Sequence, residues 1–167
     1  MIFKELQDDL FNRALYHEGV YYVQCISADL RMGRGIATQF NDHFDMKRKL
    51  IKAYPNYIQK FDSSYCFVNG EEIHDADVLY VPGTPVFNLV TKRNYWDKPT
   101  LQSLDHSLMI LLDLLLRSFP DNVELLMPKI GCGLDRLNWK YVRHIIFKRF
   151  YGSDINVTIC KLKENVK

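Results

Sequence analysis

A chain of 167 residues with 47% hydrophobic and 25% charged residues can bury one sizeable core and has a globular composition. Its net charge of +2 argues against a protein built to coat nucleic acid, while an anionic ligand would be welcome. No run approaches the roughly 18 apolar residues of a membrane span, and Met1-Ile2-Phe3-Lys4 lacks the layout of a signal peptide.

Strand and helix patterns alternate along the chain. Met1 to Leu6 reads as a short strand and Asp9 to Tyr16 as a weak helical stretch. Val20 to Ile26 is almost wholly apolar or aromatic, as expected of a strand covered on both faces. The loop from Ser27 to Gly33 leads to a helix from Gly35 to Phe44, which Lys47 to Ala53 continues until Pro55 closes it. Tyr65 to Asn69 and Ile73 to Val81 read as strands around an Asn69-Gly70 turn, a hairpin signal.

Pro82, Gly83 and Pro85 punctuate the chain before the strand Val86 to Thr91. Thr100 to Phe119 is the clearest helix: Leu101, Leu104, Leu108, Leu111 or Leu112, and Leu115 recur at helical spacing behind a Thr100 cap. The strand Val123 to Met127, the helix Asn138 to Tyr151 and the strand Ile155 to Leu162 complete the pattern. The chain shows no repeat, low-complexity tract or linker, so one α/β layered domain over residues 1–167 is expected, with a mixed sheet between helices.

In such folds ligands lie beyond the carboxyl ends of the strands, and three loops there carry chemistry. The most informative runs from Met127 through Pro128, Gly131, Gly133 and Asp135 to Trp139. A strand, a glycine loop and a helix start form an anion cradle, because free N–H groups converge where the helix dipole is positive. Asp135 would repel a phosphate there unless it has another task; the plain alternative is a helix-leading acid that stabilises the dipole. Ser27 to Gly35 forms a second strand-glycine-helix junction, which alone is a weak signal. Thr91-Lys92-Arg93-Asn94-Tyr95-Trp96 follows a buried strand directly. Lys92 is there either surface basicity or a partly desolvated amine suited to nucleophilic attack.

These residues resemble a family. Cys25-Ile26-Ser27, Arg31-Met32-Gly33-Arg34-Gly35-Ile36-Ala37, Thr91-Lys92, Lys98-Pro99-Thr100 and Met127 through Trp139 look like a macrodomain, in the branch of the terminal ADP-ribose protein glycohydrolase and its DNA-directed relatives. The similarity runs from about Leu6 to Leu162, with residues 45–81 matching poorly and running long. The resemblance implies a three-layer α/β/α sandwich with a central mixed sheet, and it implies roles residue by residue. Asp9 would hold the adenine amino group, with Leu10 lining that pocket. Ser27 and the loop from Met32 to Ala37, including Gly33, Gly35 and Ile36, would wrap the distal ribose and diphosphate. Lys129, Ile130, Gly131, Cys132, Gly133 and Leu134 would form the second phosphate loop, and Thr91 and Leu162 complete the implied binding set. Lys92 would open the distal ribose at its anomeric carbon through a Schiff-base-type adduct, and Asp135 would act beside it as acid/base. No cofactor or metal is implied.

The chain departs from that pattern where Cys160 stands in place of an adenine-stacking aromatic, where position 34 is Arg, and where the usual single acid appears as the pair Asp8-Asp9. Cys132 reads as a small side chain that fits its loop. His17, His43, His74, His106 and His144 have no ligand spacing. Met46-Lys47-Arg48-Lys49 is a solvated helix face or the border of a nucleic-acid substrate. Cys25, Cys66, Cys132 and Cys160 form no C-x-x-C pair, so a reduced intracellular protein, cytoplasmic or nuclear and monomeric, is expected.

Four functions follow. The leading one removes ADP-ribose ester-linked to glutamate or aspartate of proteins and also deacylates O-acetyl-ADP-ribose. The others are the same chemistry on an ADP-ribosylated nucleic-acid base, a phosphatase for ADP-ribose 1''-phosphate, and a non-catalytic ADP-ribose reader.

Overall fold

The computed structural model describes residues 1–162. Its strands are β1 (Phe3–Gln7), β2 (Val20–Ser27), β3 (Cys66–Val68), β4 (Glu71–Ile73), β5 (Asp77–Tyr80), β6 (Val86–Lys92), β7 (Glu124–Met127) and β8 (Asn156–Lys161). Its helices are α1 (Ile36–Phe44), α2 (Met46–Ala53), α3 (Tyr57–Ser63), α4 (Leu101–Ser118) and α5 (Trp139–Phe150). The main sheet runs β1-β8-β7-β2-β6-β5, parallel throughout except where β5 pairs antiparallel with β6. The carboxyl ends of β2, β6 and β7 therefore share one edge, which is where the glycine loops begin.

Side chains alternate along each strand, so the sheet has two cores. Val20, Tyr22 and Ile26 of β2 pack with Phe40, Met46, Leu50 and Tyr57 of the first three helices. Val23, Phe87, Leu89, Leu125 and Met127 pack on the other face with Leu104, Leu108 and Leu111 of α4 and Val142, Ile146 and Phe150 of α5. Each such side chain, when fully buried, stabilises the fold by about 1.5–3 kcal/mol. One polar pair lies inside: Gln24 donates to Asn88 at 2.8 Å, and Asn88 donates to the Leu79 carbonyl at 3.1 Å.

The expected strands beside the glycine loops form, as do α4 and α5. Thr100 caps α4 in a reciprocal box with Ser103, and Asn138 caps α5 through the Lys140 N–H at 2.9 Å. Elsewhere the chain differs. The expected helix from Asp9 to Tyr16 is only a 3-10 turn, Arg13–Leu15. Asp9 accepts from the Phe11 N–H and Asn12 from the Ala14 N–H, so short polar side chains take the backbone groups that a helix would use. The expected strand from Ile73 to Val81 is two strands in different sheets: β4 closes a hairpin with β3, and β5 joins the main sheet. Asn69 and Gly70 make the turn with φ of 51° and 79°. The Gly35–Phe44 and Lys47–Ala53 stretches are separate helices, broken at Asp45 in the left-handed region (φ 52°). Helix α3 has no counterpart in the expected pattern. Among the described residues, no helix is long and apolar enough to cross a membrane.

Candidate active site

Lys92 is the last residue of β6, whose preceding six residues are all buried. The strand end is fixed from behind by α4, because the Ser103 hydroxyl donates to the Thr91 carbonyl at 2.8 Å. Asp135 arrives from the loop after β7. That loop coils on itself through bonds from Cys132 N–H to the Lys129 carbonyl and from Leu137 N–H to the Gly131 carbonyl, at 3.1 and 2.8 Å. Gly131 takes a φ of 73°, which glycine adopts without strain. The result carries Asp135 toward β6, where the Lys92 ammonium donates to its carboxylate at 2.7 Å. The two side chains are 14% and 15% exposed, so water screens the pair only in part. Lys92 also donates to the Tyr95 carbonyl at 3.3 Å. The side-chain cap of α5 is Asn138, not Asp135.

The loop after β2 supplies the facing wall. Leu30 and Met32 take positive φ, and Gly35 turns at φ 61° into α1, which has no side-chain cap. The first N–H groups of α1 are thus open to an anion. Between the walls lies a cleft of about 1090 Å³. Arg31, Arg34, Lys47, Lys98, Lys129 and Arg136 line it, and Asp135 is the one acid among the lining residues described. The field inside favours an anion with room for several phosphate oxygens. At the mouth, Trp96 is 64% exposed and stands edge-on to Tyr95, with the Arg31 guanidinium 5.6 Å from the Tyr95 ring.

Eleven of the expected site residues line this cleft: Lys92 and Asp135 with Ser27, Gly33, Gly35, Ile36, Lys129, Ile130, Gly131, Gly133 and Leu134. Five do not. Thr91 is buried, with a hydroxyl that has no partner among the described residues. Cys132 packs against the core on the α4–α5 face, and burial pushes its thiol up to about 11, which leaves little thiolate at neutral pH. Leu10 is buried in the opposite core, Asp9 is exposed beside the 3-10 turn, and Leu162 is 73% exposed. Cys160, the departure from the family pattern, is buried, and its thiol is likewise pushed up to about 11 by burial and then by the Asp8 and Asp9 charges. The Asp8 carboxylate, rather than that of Asp9, accepts from the Asn12 side-chain amide at 3.0 Å.

Two residues had no role assigned from the sequence, Lys98 being quoted only within the family motif. Lys98 donates to the Leu134 carbonyl at 2.7 Å, holding the peptide that precedes Asp135. Asp29 accepts from the Tyr95 N–H at 2.8 Å and joins the β2 loop to the Lys92 loop. The signal for Asp29 was its place two residues after Ser27 and two before Arg31, the spacing of an aspartate that bonds its own turn. Among the described residues, no group of three or more His, Cys, Asp or Glu side chains could hold a metal ion.

A mixed-sheet α/β/α sandwich with two glycine loops around a basic cleft is the architecture of a macrodomain. The same fold is found in the macrodomain of Mycobacterium tuberculosis DarG, with a TM-score of 0.70 at 18% identity over 98% of this chain and 99% of that one. It is found too in Thermosipho africanus DarTG in complex with ADP-ribose, with a TM-score of 0.61 at 17% identity over 99% of this chain and 43% of that one. The ADP-ribose glycohydrolase OARD1 of Bos taurus is 36% identical over 140 residues, 84% of this chain and 80% of that protein. No protein-family model matches the chain. The chain belongs to the macrodomain family, in the branch of the ADP-ribose glycohydrolase OARD1.

Proposed function

We propose that this chain is an ADP-ribosylhydrolase that releases ADP-ribose from ester-linked glutamate or aspartate of modified proteins and deacylates O-acetyl-ADP-ribose. Lys92 is the nucleophile and Asp135 the acid/base. The observation that carries this reading is the 2.7 Å contact between an amine at the end of β6 and a carboxylate from the loop after β7, inside a cationic cleft. The name of the OARD1 relative, an ADP-ribose glycohydrolase, supports hydrolysis of an ADP-ribose linkage in general.

The chemistry balances on the chain's own groups, substrate and water. Asp135 takes a proton from the Lys92 ammonium, which frees a nitrogen lone pair. That pair attacks the anomeric carbon of the distal ribose: the N–C bond forms, and the C–O bond to the acyl group breaks with release of the carboxylate. The departing carboxylate carries off one of the two protons then on the nitrogen, whose restored lone pair expels the ring oxygen from the same carbon; that oxygen takes the proton held by Asp135, and a protonated Schiff base results. Water adds to its carbon, the C–N bond breaks, and ADP-ribose departs as Lys92 regains its proton. Holding Lys92 at the end of β6 and Asp135 in a loop braced by its own hydrogen bonds lowers the entropy cost of bringing the two groups together. The basic lining and the open start of α1 would bind the diphosphate.

Turnover of ADP-ribosylated protein by the wild type and the Lys92→Ala variant, with ADP-ribose binding followed by calorimetry, tests the reading. Loss of release with binding kept supports the lysine mechanism, and full activity in the variant sinks it. A wild type that binds ADP-ribose but turns over no modified substrate would be a reader instead. One feature favours a second acceptor: Trp96, exposed at the mouth beside Arg31 and Lys98, suits an ADP-ribosylated nucleic-acid base. Parallel assays on modified protein and modified oligonucleotide separate the two.

A further inference from the structure

We infer that Asp29, which does not line the cleft, is a positioning residue that aims the Lys92 amine through the Tyr95 peptide. The inference rests on the reading of Lys92 as nucleophile. Asp29 divides its carboxylate between two loops. One oxygen accepts from the Ser27 hydroxyl at 2.5 Å and the Arg31 N–H at 3.1 Å, within the loop that follows β2. The other accepts from the Tyr95 N–H at 2.8 Å, 66 residues away. The backbones are joined at the same place: Ala28 N–H donates to the Lys92 carbonyl at 2.9 Å, and Asp29 N–H to the Arg93 carbonyl at 3.1 Å.

Tyr95 matters because of what its carbonyl does. It accepts from the Lys92 amine at 3.3 Å, while Asp135 accepts from the same amine at 2.7 Å. A neutral amine has two N–H bonds and one lone pair. Once Asp135 has taken its proton, an N–H held on the Tyr95 carbonyl restrains rotation about the Cε–Nζ bond, so this carbonyl helps set the direction of the lone pair and the line of attack. Tyr95 itself sits in an exposed loop, its own side chain 47% and that of Trp96 64% exposed, where packing restrains it little. Asp97 braces the loop at Asn94, and the Asp29 carboxylate is the group that ties the Tyr95 N–H to the loop after β2. Asp135 is fixed from another side, by the Lys98 bond to the Leu134 carbonyl at 2.7 Å and by the coil of its own loop. Loss of Asp29 would therefore misdirect the amine and leave the acid/base in place.

The test measures kcat and KM on ADP-ribosylated protein, the ADP-ribose Kd, the unfolding temperature, and the rate at which borohydride traps the Lys92 adduct, read by mass spectrometry. In Asp29→Ala, kcat and the trapping rate should fall together by about 100-fold, the size expected of a misplacement near 1 Å. KM and Kd should change only several-fold. Asp29→Asn should recover part of the rate, because its amide oxygen can still accept from Tyr95. A folded Asp29→Ala with kcat within about threefold of wild type overturns the inference, as does a loss confined to KM and Kd. If Asp29→Ala does not fold, Tyr95→Pro compared with Tyr95→Ala decides: the first deletes the N–H, the second only the ring. An equal kcat in those two overturns the inference, and a much lower kcat in Tyr95→Pro supports it. Lys92→Ala in the same assay keeps the failures apart. An active Lys92→Ala means that the nucleophile reading is wrong, whereas an inactive Lys92→Ala beside a fully active Asp29→Ala means that this inference is wrong.

Discussion

Gly35 and Leu134 meet across the cleft: a methyl group placed on Gly35 would lie 3.4 Å from the Leu134 Cδ1 atom. The loop after β2 and the loop after β7 thus come close at the point where α1 begins. Gly35 also turns at φ 61°, where side chains with a Cβ are strained. Gly35→Ala should lower stability by about 1 kcal/mol and weaken ADP-ribose binding in calorimetry. Unchanged affinity would mean that this loop does not hold the phosphates.

The Lys92–Asp135 pair makes a directional prediction for binding as well as rate. Lys92→Ala and Asp135→Ala should both reduce turnover by at least about 100-fold. They should differ in affinity. Lys92→Ala leaves an unpaired carboxylate facing an anionic ligand, whereas Asp135→Ala leaves an unpaired cation. ADP-ribose should therefore bind Asp135→Ala more tightly than Lys92→Ala. The reverse order in calorimetry would count against a diphosphate near the pair.

The cationic lining predicts a salt effect. With Arg31, Arg34, Lys47, Lys98, Lys129 and Arg136 around the cleft, ADP-ribose affinity should fall several-fold as NaCl rises from low to high concentration. Lys129→Met and Arg136→Met should each flatten that dependence. A salt-independent Kd would place the ligand's charge elsewhere.

His106 ties the β3–β4 hairpin and the turn after it to α4, its protonated ring donating to Asp75 at 2.7 Å and to Glu71 at 3.1 Å. Burial pulls the imidazole pKa down, but the hydrogen bonds and charges of Asp75 and Glu71 outweigh it and raise the pKa above the ordinary 6.5. The folded state thus keeps this proton to higher pH than the unfolded chain does. The stabilisation is complete below the ordinary value and is lost as pH rises through the raised one. Thermal unfolding from about pH 6 to about pH 8.5 should show wild type losing more stability than His106→Gln. Parallel curves would remove the latch.

The local chemistry was legible wherever a short segment makes its own hydrogen bonds. The Thr100 cap, the Asn69-Gly70 turn and the strand-glycine-helix junctions at Gly35 and Gly131 follow from residue type and spacing. Local reasoning failed where side chains compete with the backbone. Asp9 and Asn12 replaced the expected helix by a 3-10 turn, as their tendency to bond nearby N–H groups allows. It failed again at residues 45–81, where α3 is held by the Tyr57 hydroxyl on Asp77 and the hairpin by His106, contacts 20 to 35 residues apart in sequence.

The sequence by itself determined which loops carry chemistry, because glycines, a strand-end lysine and a misplaced acid are local facts. It also determined the family, since the motif from Met127 to Trp139 is long and built of uncommon choices. Tertiary structure alone decided that Lys92 and Asp135, 43 residues apart, share a hydrogen bond, and that Asp29 reaches Tyr95 across 66. It also put Thr91 and Cys132 outside the cleft and Lys98 within it. Which residues meet is set by strand order and by which face of the sheet each side chain takes. Those depend on the burial of both cores at once, and no single segment encodes them.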